Sequence, residues 1–284
     1  GYLAQQHTLF LNAGNEFDED YAANILQSAG EGPAERPAAT RDRHVFRMEE
    51  DALIVRRKPW FVSLSAYVCE PVNIRWRQDR QNFVSVFHDT TGLIIGGGNT
   101  KLQPLWSNCT VGDTSLLSHT FGQEEPDFSP RDGLFHVPDS AVPGGDQDAP
   151  SLTLTYGGEF FHLTCLPKSD TELTLVCKAT TKTRQAVEGH ITLMPHLGET
   201  VRLSSGTETI LGDDSIEWHP DNEGWIEHAG WRLVLPPGGR ITWPVLPHNP
   251  YRKKGDANIE EARIVACLPF SEDIHSYELT LSVA

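Results

Sequence analysis

Residues 60–68 read "WFVSLSAYV", and the alternation in these nine residues decides the fold. Trp60, Val62, Leu64, Ala66 and Val68 fall on one face of an extended chain, and Phe61, Ser63, Ser65 and Tyr67 on the other. Period two with apolar residues on one side is the pattern of a half-buried β-strand. The same style returns in "NFVSVF", "SLTLTY", "FFHLTCL", "ELTLVCK", "GHITLM", "TVRLSS", "WRLVLP", "RITWPVL", "ARIVACLP" and "YELTLSV". More than a dozen strand candidates follow one another, separated by Gly, Pro, Asp and Asn turns. No helix-period segment lies between them, which argues against parallel βαβ units. So many strands predict an all-β fold, a large two-sheet antiparallel β-sandwich. No repeat of 40–50 residues marks a propeller.

One helix is expected, within residues 1–40. "FDEDYAANILQSAG" carries Asp18 near its start, Tyr21, Ala22, Ile25 and Leu26 at helical spacing, and Gly30 at its end. The Pro- and Gly-rich "GEGPAERPAATRD" then reads as a linker, so the sandwich domain is expected over residues 41–284. A second long polar segment, residues 122–150, shows little strand character and reads as a loop, either surface cover or a lid over a groove.

The 284 residues carry 39 acidic and 23 basic side chains, a net charge of -16. Such a field repels nucleic acid and anionic membranes, so neither is an expected partner, and an anionic ligand needs a local basic patch. No apolar run approaches a membrane span, and no basic stretch followed by an apolar one opens the chain. The first residue is Gly1 rather than Met, so that absence says nothing about compartment. Five cysteines are scattered without a CxxC pair, which excludes finger-type metal clusters. Four of them, Cys69, Cys165, Cys177 and Cys267, stand in strand-like runs and read as buried thiols.

"HDTTGLIIGGGNTKLQPLW", residues 88–106, raises the question of a phosphate loop. A P-loop places lysine directly after its last glycine and opens a helix. Here Asn99 and Thr100 separate Gly98 from Lys101, and Pro104 and Trp106 follow where a helix would start. Nucleotide binding therefore has no support. "GLII" reads as a buried strand and "LQPLW" as the start of the next, with Gly96, Gly97 and Gly98 as the bend between them. Alternatively the glycines clear floor space for a ligand beside Trp106 and Lys101.

"VNIRWRQDRQ" alternates Arg75, Arg77 and Asp79 with Trp76 and Gln78. Charges spaced at i, i+2 form a salt-bridge ladder, or a sugar-binding face on which guanidinium and carboxylate groups meet hydroxyls and an aromatic ring stacks. "RRKPW" at residues 56–60 adds charge beside an aromatic. Tyr251 stands in the aromatic–proline phrase "WPVLPHNPYRKKG", either a protected strand exit or a stacking platform. His88 closes a strand. The 12 histidines include no HExxH, so no metal ligand and no cofactor is assigned. No GxSxG elbow supports serine chemistry.

"KPWFVSLSAY", "RQDRQNFVSVFHDTTGLIIGGGNTKLQPLWS" and "WPVLPHNPY" resemble the C-terminal β-sandwich region of heparinase II/III-like polysaccharide lyases, a supersandwich of the galactose-mutarotase-like type. The resemblance implies a glycan-related domain that follows a helical toroid and forms one wall of its cleft, in a periplasmic or extracellular protein. It implies a poly- or oligosaccharide partner and a helical domain outside this chain. In that family the catalytic His and Tyr lie largely in the helical domain, so no catalytic residue is assigned here, and the family's metal ligands have no match. The residues expected at a sugar are Arg75, Trp76, Arg77, Asp79, His88, Lys101, Trp106 and Tyr251. Two other readings stay open: a non-catalytic glycan- or protein-binding module, and a mutarotase-like sugar epimerase, for which His196 with Glu199 is the near pair.

Overall fold

The structure is a computed structural model that describes residues 42–68, 74, 82–96, 103–116, 122–125, 127 and 132–284. The expected N-terminal helix lies outside the described residues. Within them there is no α-helix, and no helix long and apolar enough to cross a membrane.

The strands in chain order are β1 (Arg43–Met48), β2 (Ala52–Arg57), β3 (Trp60–Ser65), β4 (Val84–His88), β5 (Gly92–Ile95), β6 (Cys109–Gly112) and β7 (Leu134–Phe135). Next come β8 (Ser140–Gly144), β9 (Ser151–Tyr156), β10 (Glu159–Pro167), β11 (Glu172–Ala179), β12 (Val187–Leu193), β13 (Thr200–Leu203) and β14 (Glu208–Ile210). The last are β15 (Ile216–Trp218), β16 (Gly224–His228), β17 (Trp231–Leu235), β18 (Arg240–Val245), β19 (Arg263–Phe270) and β20 (Ser276–Val283). They build two antiparallel sheets. The larger, of 11 strands, runs β1-β2-β3-β4-β5-β12-β19-β18-β15, with β6 beside β12 and β7 beside β6. The smaller, of 9 strands, runs β14-β13-β16-β17-β20-β11-β10-β9-β8.

Alternation explains why the sheets meet face to face. Trp60, Val62 and Leu64 are buried on β3, while Phe61, Ser63 and Ser65 are half-buried on its far side. Leu152, Leu154 and Tyr156 on β9, and Phe161, Leu163 and Cys165 on β10, do the same from the smaller sheet. Leu279 and Leu281 on β20 complete one continuous apolar layer with them. Phe161 and Phe270 touch edge to face across it, with ring centres 6.3 Å apart, a preferred aromatic geometry. Cys109, Cys165, Cys177 and Cys267 are buried free thiols, and Cys69 lies outside the described residues.

Two expectations need correction. The segment 122–150 is not strandless: β7 and β8 lie inside it. Pro143 sits on β8, which pairs only with β9 at the rim of its sheet, a place where a strand tolerates proline. "LQPLW" does not begin a strand either. Pro104–Trp106 is a single 3-10 turn, begun by Gln103, whose side chain accepts from the Leu105 N–H. The strand before it continues through Gly96, whose N–H donates to Thr192 O at 3.0 Å.

Candidate functional site

The central strands of the larger sheet are buried on both faces. On β12, Val187, Gly189, Ile191 and Leu193 face the core, and Glu188, His190 and Thr192 face outward. On β19, Ala266 and Leu268 point inward, and Val265 and Cys267 pack outward with Trp106 and Val245 in a second, small apolar cluster. Trp106 donates its indole N–H to Val245 O, and the Arg263 guanidinium lies 4.9 Å from its ring centre. The 3-10 turn thus caps part of the outer face.

Beneath that cover, strand register assembles a polar cluster. His190 on β12 stands opposite Cys267 on β19, and Cys267 stands opposite Arg240 on β18. Glu188, two residues from His190, shares their face. Arg240 donates to both Glu188 oxygens, at 2.8 and 3.3 Å. The His190 ring approaches Ser107 O through Nδ1 at 3.0 Å and Glu188 Oε1 through Nε2 at 3.1 Å. The Cys267 sulfur lies within 4.8 Å of the same carboxylate. Burial pushes the Glu188 carboxyl up, but His190 and Arg240 outweigh it and hold the group below its ordinary range. Burial raises the Cys267 thiol well above its usual value. Ligand atoms of Glu188, His190 and Cys267 all lie within 4.8 Å of one another, the one such grouping among the described residues.

The smaller sheet carries a different feature on its open face. Phe160 and His162 project outward from β10, and Lys178 from β11 directly opposite His162. Thr180, Thr181 and Lys182 follow β11 and form one rim. Buried Glu159 anchors this rim, accepting from the Thr180 hydroxyl and the Thr183 N–H. The result is an open groove of about 640 Å³, lined also by Glu272 and His275. Lys182 Nζ lies 5.5 Å from the Phe160 ring centre, and Phe160 is 44% exposed. Two lysines and two histidines face one glutamate there, in a chain of net charge -16.

Of the residues expected at a sugar, Arg75, Trp76, Arg77, Asp79 and Lys101 lie outside the described residues. His88 sits between the sheets, under Trp60 with ring centres 4.7 Å apart, and its Nε2 meets Asp170 O. Trp106 is buried in the outer cluster. Tyr251 is 80% exposed on the connection after β18. His88 and Trp106 therefore lie on opposite faces of the larger sheet. "RRKPW" resolves into ion pairs: Arg56 with Asp89 at 2.7 Å and Arg57 with Asp148 at 3.2 Å. The His196–Glu199 pair is a 3.7 Å contact between exposed side chains after β12. Neither the β12–β19–β18 cluster nor the Phe160 groove was found from sequence. The spacing of Glu188 and His190 at i, i+2 was the available signal for the first, and Phe160 with Lys178 and Lys182 for the second.

No protein-family model matches this chain, and no curated protein matches it. Among solved structures it is similar to a heparinase III gene product, with 9% identity, 98% of this chain and 40% of that chain covered, and a TM-score of 0.48. It is also similar to the heparan sulfate lyase HepC from Pedobacter heparinus, with 10% identity, 99% and 41% covered, and a TM-score of 0.44. A crystal structure of heparinase III gives 8% identity, 85% and 36% covered, and a TM-score of 0.46. The chain spans about two fifths of the length of these proteins.

Proposed function

We propose that this chain is a carbohydrate-binding β-sandwich of a lyase-like protein, one wall of a glycan site and not catalytic alone. The observation that carries the reading is the Phe160 groove. An exposed aromatic ring flanked by Lys178, Lys182, His162 and His275 suits a pyranose that bears a carboxylate or sulfate. The ring stacks on the sugar face, and the ammonium groups pair with the anion. Elimination at a uronate needs a base, an acid and a group that neutralises the carboxylate. This groove offers cations for the last role, and a helical unit outside this chain would supply the first two.

The test is direct. Binding of heparan sulfate, alginate and a neutral glycan to the 284-residue chain is measured by calorimetry, and unsaturated-uronate absorbance is followed in parallel. The reading expects acidic glycans to bind, the neutral one to bind weakly, and no absorbance to develop. Lys178→Glu with Lys182→Glu is expected to abolish binding. Elimination by this chain alone would overturn the non-catalytic part. Absence of binding to every glycan would overturn the carbohydrate part.

A further inference from the structure

Two histidines of the smaller sheet differ in their tolerance of a second ring proton. His228 donates from Nδ1 to Thr200 O, and its Nε2 accepts from the His196 N–H. A backbone N–H cannot reverse its role, so a proton on that Nε2 would face another proton. His162 stands between two hydroxyls instead. Thr153 Oγ1 on β9 lies 2.8 Å from its Nδ1, and Thr164 Oγ1 lies 3.1 Å from its Nε2. A hydroxyl both donates and accepts, so each can rotate to accept from a doubly protonated ring. What opposes the charge is Lys178, directly opposite on β11. Side chains so placed have Cβ atoms about 4.5–5.5 Å apart, and like charges there repel. Burial and then that lysine hold the proton affinity of the ring below its ordinary value.

We infer that the Phe160 groove binds an acidic glycan together with a proton, which His162 takes up, so that acid strengthens binding. This rests on the glycan reading of that groove and adds its regulation. A carboxylate or sulfate placed over the His162–Lys178 pair meets both side chains at once. It offsets their repulsion and favours the doubly protonated ring. Linkage makes the effect reciprocal: a ligand that raises the proton affinity of His162 binds the protonated form more tightly. Binding is therefore strongest below the free-state value of the ring. It weakens as pH rises from the free to the bound value, and is weakest above both. The other charged groups around the ring are Lys182 after β11, Glu272 and His275 before β20, and Glu278 on β20. Glu278 lies two residues beyond Ser276, the partner of Lys178. Lys182 acts with Lys178 against a proton on the empty groove, whereas Glu272 and Glu278 favour the proton and repel the glycan. Glu159 is engaged by Thr180 and Thr183 within the rim. His275 is the second imidazole of the groove, and the test separates it from His162.

The test uses the full chain and a heparan sulfate oligosaccharide at constant ionic strength. Between about pH 7.5 and about pH 5.5, calorimetry is expected to show affinity rising about tenfold, the equivalent of one pH unit in proton affinity. Repeating the titration in buffers of different ionisation heat is expected to show net proton uptake on binding. In NMR, the midpoint of the His162 ring is expected to move upward by about one pH unit or more when the glycan is bound. His162→Gln should lose most of the rise in affinity, and His275→Gln should keep it. Acid also reduces the negative charge of the whole chain, and that effect strengthens binding in both variants alike. A rise that His162→Gln retains in full therefore overturns the inference. Affinity that does not change with pH overturns it too and leaves the glycan reading standing. No binding of acidic glycans at either pH overturns both. The NMR titration needs no variant, and an unmoved His162 midpoint overturns the inference even where a substituted chain fails to fold.

Discussion

The outer faces of the two sheets are built to opposite plans. On the smaller sheet, β10 and β20 alternate strictly between buried and accessible residues, and the outward set is Phe160, His162, Thr164, Leu166, Ser276, Glu278, Thr280 and Ser282. That face is open to water. On the larger sheet, β12 and β19 are buried on both sides over most of their length. Yet the outward residues there include Glu188, His190, Thr192 and Cys267. An open face tolerates polar groups one at a time, because water completes their bonding. A sealed face keeps them only as a mutually satisfied set. The polar residues of the sealed face therefore constrain one another, and the open face is free to accept a ligand.

Two arginine–glutamate pairs put this contrast to a numerical test. Arg240–Glu188 lies on the sealed face, with 23% and 22% exposure. Arg232–Glu227 lies on the open face, with 44% and 30%. Arg240→Ala leaves a carboxylate without its guanidinium and is expected to cost about 3 kcal/mol, the low end for a buried pair because some water still reaches it. Arg232→Ala is expected to cost less than about 1 kcal/mol. Urea unfolding of both variants measures the difference, and equal losses would end the distinction between the faces. Next in size is Gly189→Ala, between Glu188 and His190 but pointing inward. Its new Cβ would lie 2.7 Å from Phe161 Cε2 and 3.1 Å from Phe270 Cε2. Both rings are buried, so overpacking of about 1–3 kcal/mol is expected. A neutral result would mean that the two sheets are free to move apart at this point.

This contrast also separates what the sequence discloses from what it conceals. Period two is visible where one face is wet, and residues 60–68 or "SLTLTY" read directly as strands with the core face identified. "ARIVACLP" also reads as a strand, but its apolar run does not say which face holds Cys267. The cluster exists only because register sets His190, Cys267 and Arg240 in one row across three strands. No local pattern encodes that pairing. β8 is not legible in the sequence for another reason: "SAVPG" has no alternation, and its strand state comes from pairing with β9. The turn at Pro104–Trp106 reads as a strand start in the sequence because apolar "PLW" suits both. Here the Gln103 side chain settles it by capping Leu105.

The smaller sheet carries the pH response expected of the fold. His228 is almost fully buried. Its Nδ1 donates to Thr200 O and its Nε2 accepts from the His196 N–H. Burial outweighs the Thr200 carbonyl and lowers its affinity for a proton. Burial and then the neighbouring Lys178 do the same to His162. Both folded values lie below the ordinary 6.5, so the unfolded chain takes up protons first as pH falls. Stability from these groups is complete above about pH 6.5 and is lost as pH drops through the folded values. Unfolding free energy is therefore expected to be lower at pH 5 than at pH 7. His228→Gln is expected to flatten that slope, and an unchanged slope would remove His228 from the account.

The smallest effect on stability is expected at Phe160, and it isolates function from folding. Its ring is 44% exposed and meets Lys182 across the groove, outside the apolar layer that joins the sheets. Phe160→Ala is expected to leave the unfolding midpoint within about 0.5 kcal/mol of the parent. The backbone pairing with Thr180 that shapes the rim does not involve the ring, so the groove should keep its form. If the ring is a stacking platform, acidic-glycan affinity falls while the residual binding keeps its salt dependence, because the lysines remain. If affinity does not change, the lysines act without the aromatic, and the groove is an anion site rather than a sugar site. A large loss of stability would mean that the open face bears part of the core's work, which would undo the contrast between the two sheets at its simplest point.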